Sequence, residues 1–147
     1  MKIIKVDESN VAEAGRIHSE SWKESHRSFC SAAFVEKHTP EAQAEFLQQE
    51  IAAGKVIYIL IDELPVGIVS VHGDMIENLY VLPLEQNKGY GTRLLKFAIQ
   101  NCGGIPRLRC LNINEGAYRL YTKHGFRETG NRKPLNDTLF EIELKKG

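Results

Sequence analysis

The stretch whose residue types and spacing most plainly suit a reaction is Gln86-Asn87-Lys88-Gly89-Tyr90-Gly91, followed by Thr92-Arg93-Leu94-Leu95. Glycines let backbone N–H groups approach an anion closely, and a helix that follows adds unpaired N–H donors and the positive end of its dipole. A loop of this kind suits a phosphate. Spacing excludes two common phosphate loops. A dinucleotide fingerprint GxGxxG needs glycine where Leu94 stands, and a Walker A loop needs a lysine between glycine and Ser/Thr, whereas Gly91 meets Thr92 directly. Taken alone, GxG ahead of a helix also reads as a plain turn and helix start.

The elements that must position these residues follow from periodicity. Lys2 to Val6 is a short apolar strand. Asp7 to Asn10 supplies cap-type residues before a helix whose Val11, Ala14, Gly15, His18 and Trp22 share a face. Residues 23–38 are irregular and fit a loop or a short second helix. Thr39-Pro40 opens a helix to about Ala53, with Gly54 as its stop. The period then changes: Val56 to Ile61 and Val66 to Val71 form a hairpin around residues 62–65, and Gly73-Asp74 turns into a third strand, Met75 to Leu82, which Pro83 ends. A helix from about Tyr90 to Cys102, a strand from about Arg107 to Ile113, a helix from about Glu115 to His124 and strands near 126–132 and 138–144 complete the chain. The order is α/β with a mixed sheet.

Composition narrows the function classes. The 147 residues suit a single domain, 1–147, with a core of its own, and no repeat or linker-like tract divides them. Nineteen basic residues balance nineteen acidic ones, so no charge excess recruits nucleic acid or an anionic membrane. The three cysteines have neither CxxC nor zinc spacing, so no metal site is expected and the thiols read as reduced. The N-terminus is too polar for a signal peptide and no apolar run approaches a membrane span. The expected location is the cytoplasm.

Three blocks in order carry a resemblance. Leu79-Tyr80-Val81-Leu82-Pro83, the QxxGxG of Gln86 to Gly91, and Asn114, Ala117, Tyr121, Gly125 and Phe126 resemble the GNAT superfamily of N-acetyltransferases. The resemblance spans Ile76 to Phe126. It implies an α/β fold with a central, mostly antiparallel mixed sheet of about seven strands flanked by about four helices. It implies acetyl-CoA as cofactor, with CoA as product, and direct transfer of acetyl to a primary amine. In that family the strand before the loop splays from its neighbour, so main-chain groups of Leu79, Tyr80 and Val81 are expected to pair with the pantetheine arm. The Leu79 N–H is expected to bond the thioester carbonyl. The pyrophosphate is expected on the N–H groups of Asn87, Lys88, Gly89, Tyr90, Gly91 and Thr92, beside Gln86, with the Thr92 hydroxyl in reach. Lys88 reads equally as a solvated loop lysine. Asn114 is expected near the cofactor, a role compatible with helix N-capping.

The same resemblance makes Tyr121 the expected general acid, since a phenol of pKa ~10 can protonate a departing thiolate of pKa ~8.5. Tyr118 is the rival, and the spacing to Asn114 and Gly125 favours Tyr121. Glu77 is the expected base, directly or through water, because a glutamate in an interior strand is costly without a purpose. The best-characterised branch of the family places its glutamate at the position of Met75, two residues earlier on the same face. Cys110 has no motif-defined histidine partner and reads as a small core residue. The family builds its acceptor site from the first helix, the segment after it and the last hairpin. Here that implicates Trp22, His26, Phe29, Phe34 and the loop 131–136, which suit a small-molecule, amino-acid or peptide amine. Homodimers are common in the family, and no feature of this sequence requires one. The other reading is a protein of the same fold that holds acyl-CoA as a sensor or structural ligand without turnover.

Overall fold

The computed structural model describes residues 1–147. Seven strands form one sheet: β1 (Lys2–Lys5), β2 (Val56–Asp62), β3 (Leu64–His72), β4 (Met75–Val81), β5 (Arg107–Leu111), β6 (Phe126–Pro134) and β7 (Phe140–Lys146). Their spatial order is β1-β2-β3-β4-β5-β7-β6. Every neighbouring pair is antiparallel except β4 and β5, which run parallel. Five helices flank the sheet: α1 (Val11–His26), α2 (Ala32–Glu36), α3 (Pro40–Ala52), α4 (Tyr90–Asn101) and α5 (Glu115–Lys123). The mixed, mostly antiparallel architecture agrees with the sequence reading. The irregular segment resolves into the end of α1, a turn and the short α2.

Each face of the sheet has its own core. Ile57, Ile59 and Ile68 meet Val11, Ala14 and Ile17 of α1 and Leu47 of α3. On the opposite face Val69, Val71, Ile76, Leu108 and Leu144 meet Leu94, Leu95 and Ala98 of α4 and Tyr121 of α5. A strand buried on both faces reads as a near-continuous apolar run, which is why β2 and β3 lack strict alternation. Helix α3 starts as its residues dictate: Thr39 Oγ1 accepts from the Ala42 N–H at 3.1 Å, with Pro40 at the first helical position. It ends in a Schellman arrangement. The Lys55 N–H donates to the Glu50 carbonyl and the Gly54 N–H to that of Ile51, with Gly54 at φ 102°. By contrast, the Asn10 side chain makes no cap bond to α1; its Oδ1 accepts from the Asp7 N–H at 2.8 Å.

Two irregularities in β4 matter for the site. Ser70 of β3 faces Glu77 and Ile68 faces Tyr80, so two β4 residues, Asn78 and Leu79, stand opposite the single Val69. This is a β-bulge, and Asn78 has the left-handed φ of 51°. Its effect is visible in the packing. Ile76, Leu79 and Val81 all face the α4/α5 side, while Tyr80 and Leu82 face α1 and α3. Strict alternation forbids Ile76 and Leu79 from sharing a face; one extra residue permits it. The second irregularity is that β4 pairs with β5 only at Met75–Arg107 and Ile76–Leu108. Beyond Ile76 the two strands separate.

Candidate active site

The separation of β4 and β5 opens a cleft of ≈ 630 Å³. One wall is β4 from Ile76 to Val81, and the facing wall is Arg109 to Leu111 of β5 with Asn114, Ala117 and Tyr121 around α5. The C-terminal half of α1 lines it with Ser21, Glu24, Ser25 and His26, and Leu135 and Glu141 bring in the last hairpin. Helix α1 is moored to β4 where Ser21 Oγ donates to the Val81 carbonyl at 3.2 Å. The same carbonyl accepts from Gln86 Nε2 at 3.2 Å, which ties the following loop to the end of the strand.

That loop is an anion cradle by construction. Asn87 and Gly89 both hold positive φ, 64° and 89°, a conformation that glycine adopts freely and asparagine tolerates. Gly89 is the N-cap of α4 and no side chain caps the helix, so the first-turn N–H groups keep their donors open. The side chains lie elsewhere. Lys88 Nζ pairs with Glu85 at 2.9 Å, and the Tyr90 hydroxyl donates to Asp62 at 2.6 Å. Gly89 and Thr92 border a separate shallow depression of ≈ 420 Å³ with Arg93 and Lys96. Of the loop, only Gln86 reaches the cleft itself.

Tyr121 is 7% exposed and forms part of the cleft wall, and its ring packs against Phe126 with centroids 6.2 Å apart. Burial pushes its phenol well above the usual range, with Cys110 and Tyr80 acting in the same sense. The group therefore stays protonated at any ordinary pH. Tyr118 is committed outside the cleft, where its hydroxyl donates to Glu128 at 2.7 Å. Cys110 lines the cleft, but burial and then Glu128 and Glu141 push its thiol up to about 11, the wrong direction for a nucleophile. Asn114 caps α5, its Oδ1 accepting from the Ala117 N–H at 3.1 Å, while its side of the helix borders the cleft.

Glu77 faces the cleft with a partner already in hand. Lys55 Nζ lies 3.0 Å from its carboxylate and 2.8 Å from that of Glu50. The Schellman turn that ends α3 puts Lys55 between them. Two carboxylates and one ammonium leave this trio one net negative charge, and Glu77 is the member that lines the cleft. Next to it, Asn78 Nδ2 donates to Ser70 Oγ at 3.1 Å. His18, 3% exposed, bonds Gln43 at 2.8 Å and lies edge-on to Tyr80. Burial holds the His18 imidazole down at about 4 against the favourable Asn78 side chain.

Of the four aromatic residues expected at the acceptor end, the structure brings only His26 to the cleft wall, and Phe29 and Phe34 are exposed. Trp22 lies between two stacked histidines, His26 with centroids 4.0 Å away and His38 at 3.5 Å. Phe34 closes on Trp22 edge-on at 5.8 Å, and Phe29 leans on His26 at 5.1 Å. The sequence reading did not single out Ser21, Ser25, Asn78, Arg109 or Glu141. A polar i, i+4 pair on α1 and a charged residue alternating with Leu108 and Cys110 on β5 were the signals available for three of them.

The profile of the acetyltransferase (GNAT) domain matches residues 52–128. No protein of curated function matches by sequence. Solved structures share the fold. YjaB from Escherichia coli, in its apo form, has 21% identity and a TM-score of 0.76 over 99% of this chain and 96% of that one. The PaiA N-acetyltransferase of Thermoplasma acidophilum, in complex with coenzyme A, has 20% identity and a TM-score of 0.70, covering 98% of each chain. YncA of Salmonella typhimurium, with its cofactor acetyl-CoA, has 19% identity and a TM-score of 0.70 over 99% of this chain and 92% of that one.

Proposed function

This chain belongs to the GNAT acetyltransferase family, and from that premise we propose that it moves the acetyl group of acetyl-CoA onto a primary amine of a small molecule, an amino acid or a peptide. The observation that carries the reading is the parting of β4 and β5 beyond Ile76, directly ahead of an uncapped helix N-terminus. Both ends of the cofactor find suitable groups there. The main chain of Leu79 to Val81 has no partner on β5 and suits an extended amide-bearing arm, while the N–H groups of Asn87 to Thr92 suit a pyrophosphate. Bound there, acetyl-CoA supplies an acyl group activated as a thioester.

The chain's own residues supply the rest. Asn78 and Leu79 have no register partner on β3, which supports the Leu79 N–H as a donor to an acyl oxygen that gains negative charge. A preorganised donor of this kind contributes on the order of 3 kcal/mol to barrier lowering. The Tyr121 hydroxyl, kept protonated by burial, donates to sulfur as the thiolate leaves. With the Cys110 thiol held neutral, transfer is direct and passes through no acyl-enzyme. The net negative charge of Glu50, Lys55 and Glu77 favours an ammonium-bearing acceptor at the cleft.

The test is release of free thiol from acetyl-CoA across a panel of primary amines, amino acids and peptides. Turnover by the wild type is expected, falling about 10²–10⁴-fold in kcat for Tyr121→Phe with the KM for acetyl-CoA little changed. CoA binding without turnover of any amine would instead mark a non-catalytic module.

A further inference from the structure

His26 is the last residue of α1 and lines the cleft. Its Nδ1 lies 2.9 Å from the Trp22 carbonyl oxygen and 2.8 Å from Ser25 Oγ. The Ser25 hydroxyl donates to that same carbonyl at 3.0 Å. A carbonyl can only accept, and the serine proton is already spent on it. Nδ1 therefore carries the ring proton, and in the neutral imidazole the lone pair sits on Nε2. No protein group bonds Nε2; the ring's two hydrogen-bond partners are both on Nδ1. Turning the ring over would put carbon where Nδ1 stands and lose both bonds. The ring also lies flat on the Trp22 indole, 9° from parallel, and His38 closes the other face of Trp22. Both the tautomer and the plane of His26 are thus set before any ligand arrives. Glu77, across the same cleft, is already engaged by Lys55 at 3.0 Å.

We propose that His26 accepts the proton that the acceptor amine loses during acetyl transfer, an assignment that rests on the acetyl-transfer reading above. The amine lone pair forms the new N–C bond as the C–S bond breaks with its electron pair on sulfur. The ammonium first gives one proton to water to free that lone pair; after attack the proton left on the cationic nitrogen passes to Nε2 of His26 and from there to water, while sulfur takes its proton from Tyr121, which regains one from water. Glu77 then acts through charge, drawing the ammonium in. Burial, chiefly, holds the His26 imidazole below its usual range; the Trp22 carbonyl pulls the other way, and His38 adds to the lowering. The ring is consequently neutral and able to accept at pH 7. The other titratable groups around the cleft are Glu24 on its own helix and Glu77, Tyr80, Arg109, Cys110, Tyr121 and Glu141 across it, and His18 on α1 also acts electrostatically with the ring.

Two measurements test this. In the free protein, long-range ¹⁵N–¹H spectra should show His26 as the Nδ1–H tautomer, titrating below its ordinary value. In the enzyme, kcat/KM for any amine that turns over should rise with pH through that same titration. His26→Ala should lower kcat about 100-fold or more, abolish that limb and recover part of the rate when imidazole is added. His26→Gln, which can still donate to the Trp22 carbonyl, should keep the fold and lose the rate equally. An Nε2–H tautomer overturns the assignment. So does His26→Ala with wild-type kcat, or a loss that imidazole does not mend and that leaves the pH limb in place. A wild type that turns over no amine overturns the acetyl-transfer reading and this assignment with it, whereas turnover at the wild-type rate in His26→Ala overturns the assignment alone.

Discussion

The bulge at Asn78 aims the main chain of β4 at the cleft, and its stability can be taken apart by substitution. Asn78 sits at φ 51°, where an ordinary L-residue loses about 1–2 kcal/mol and asparagine loses less. Its side chain also donates to Ser70 Oγ, a hydroxyl on a residue with 0% exposure. Leaving a buried hydroxyl short of a partner costs about 1–3 kcal/mol. Asn78→Ala incurs both penalties, at most about 2–5 kcal/mol together. Asn78→Gly loses the hydrogen bond but keeps the backbone, offset by ~0.4–1 kcal/mol for glycine's greater freedom in the unfolded chain. The order of stability should therefore be Asn, then Gly, then Ala, with Gly ahead of Ala by roughly 0.5–1 kcal/mol. Urea unfolding followed by fluorescence of Trp22, the only tryptophan, resolves differences of this size when the m-values agree. A calorimetric CoA titration of the same proteins reports on the cleft, and the affinity order should follow the stability order. If Asn78→Ala proves as stable as Asn78→Gly, the left-handed residue is not what holds the bulge and the reasoning fails.

Two further perturbations test the frame around the site. A Cβ on Gly15 would lie 2.7 Å from Ala44 Cβ, Ala44 N and the Pro40 carbonyl oxygen, two of them backbone atoms that cannot yield cheaply. Gly15→Ala should therefore cost near the top of the ~1–3 kcal/mol range for overpacking and lower Tm by roughly 5–10 °C; a thermal melt within 2 °C of wild type, on the order of experimental scatter, would contradict this close α1–α3 approach. Because the folded-state pKa of His18 is depressed from 6.5 to about 4, the unfolded chain binds the extra proton first, so stability is intact above pH 6.5 and is lost as pH falls toward 4. The slope from this one group approaches ~1.4 kcal/mol per pH unit in that window, and His18→Gln should flatten the stability profile there; an unchanged slope would show that His18 titrates normally.

The elements whose signals are local were legible in the sequence. Thr39-Pro40 starts α3 and Gly54 stops it because a cap, a fixed φ and a left-handed turn each act over a few residues. The hairpin of β2 and β3 and the amphipathic α4 are read the same way. The end of α1 was obscure for a physical reason: beyond Ser21 the helix face turned inward meets a cleft, so serines and a glutamate replace the apolar residues that periodicity looks for. The bulge was hidden because one asparagine in an apolar strand signals nothing until the register on β3 is known. The capping of α1 shows the opposite failure. Asp7 to Asn10 has the right residue types, yet the Asn10 side chain folds back on Asp7, since several residues there compete for the same donors.

The two halves of the cleft are encoded differently, and this bears on what sequence can say about any relative. The half that suits the cofactor is made of backbone: an unpaired strand edge, two left-handed residues and an uncapped helix start. Such features tolerate many side chains but demand fixed spacing, so they leave a motif. The other half is made of side chains drawn from α1, β5 and the last hairpin, elements far apart in the chain. They demand identity but no spacing, so they leave none. The halves meet at the Val81 carbonyl, which holds Ser21 of α1 and Gln86 of the loop at once. That shared anchor fixes where α1, and with it His26, lies relative to the cradle. A substitution at Glu24 can thus alter the charge the cleft presents without disturbing the groups that suit the cofactor.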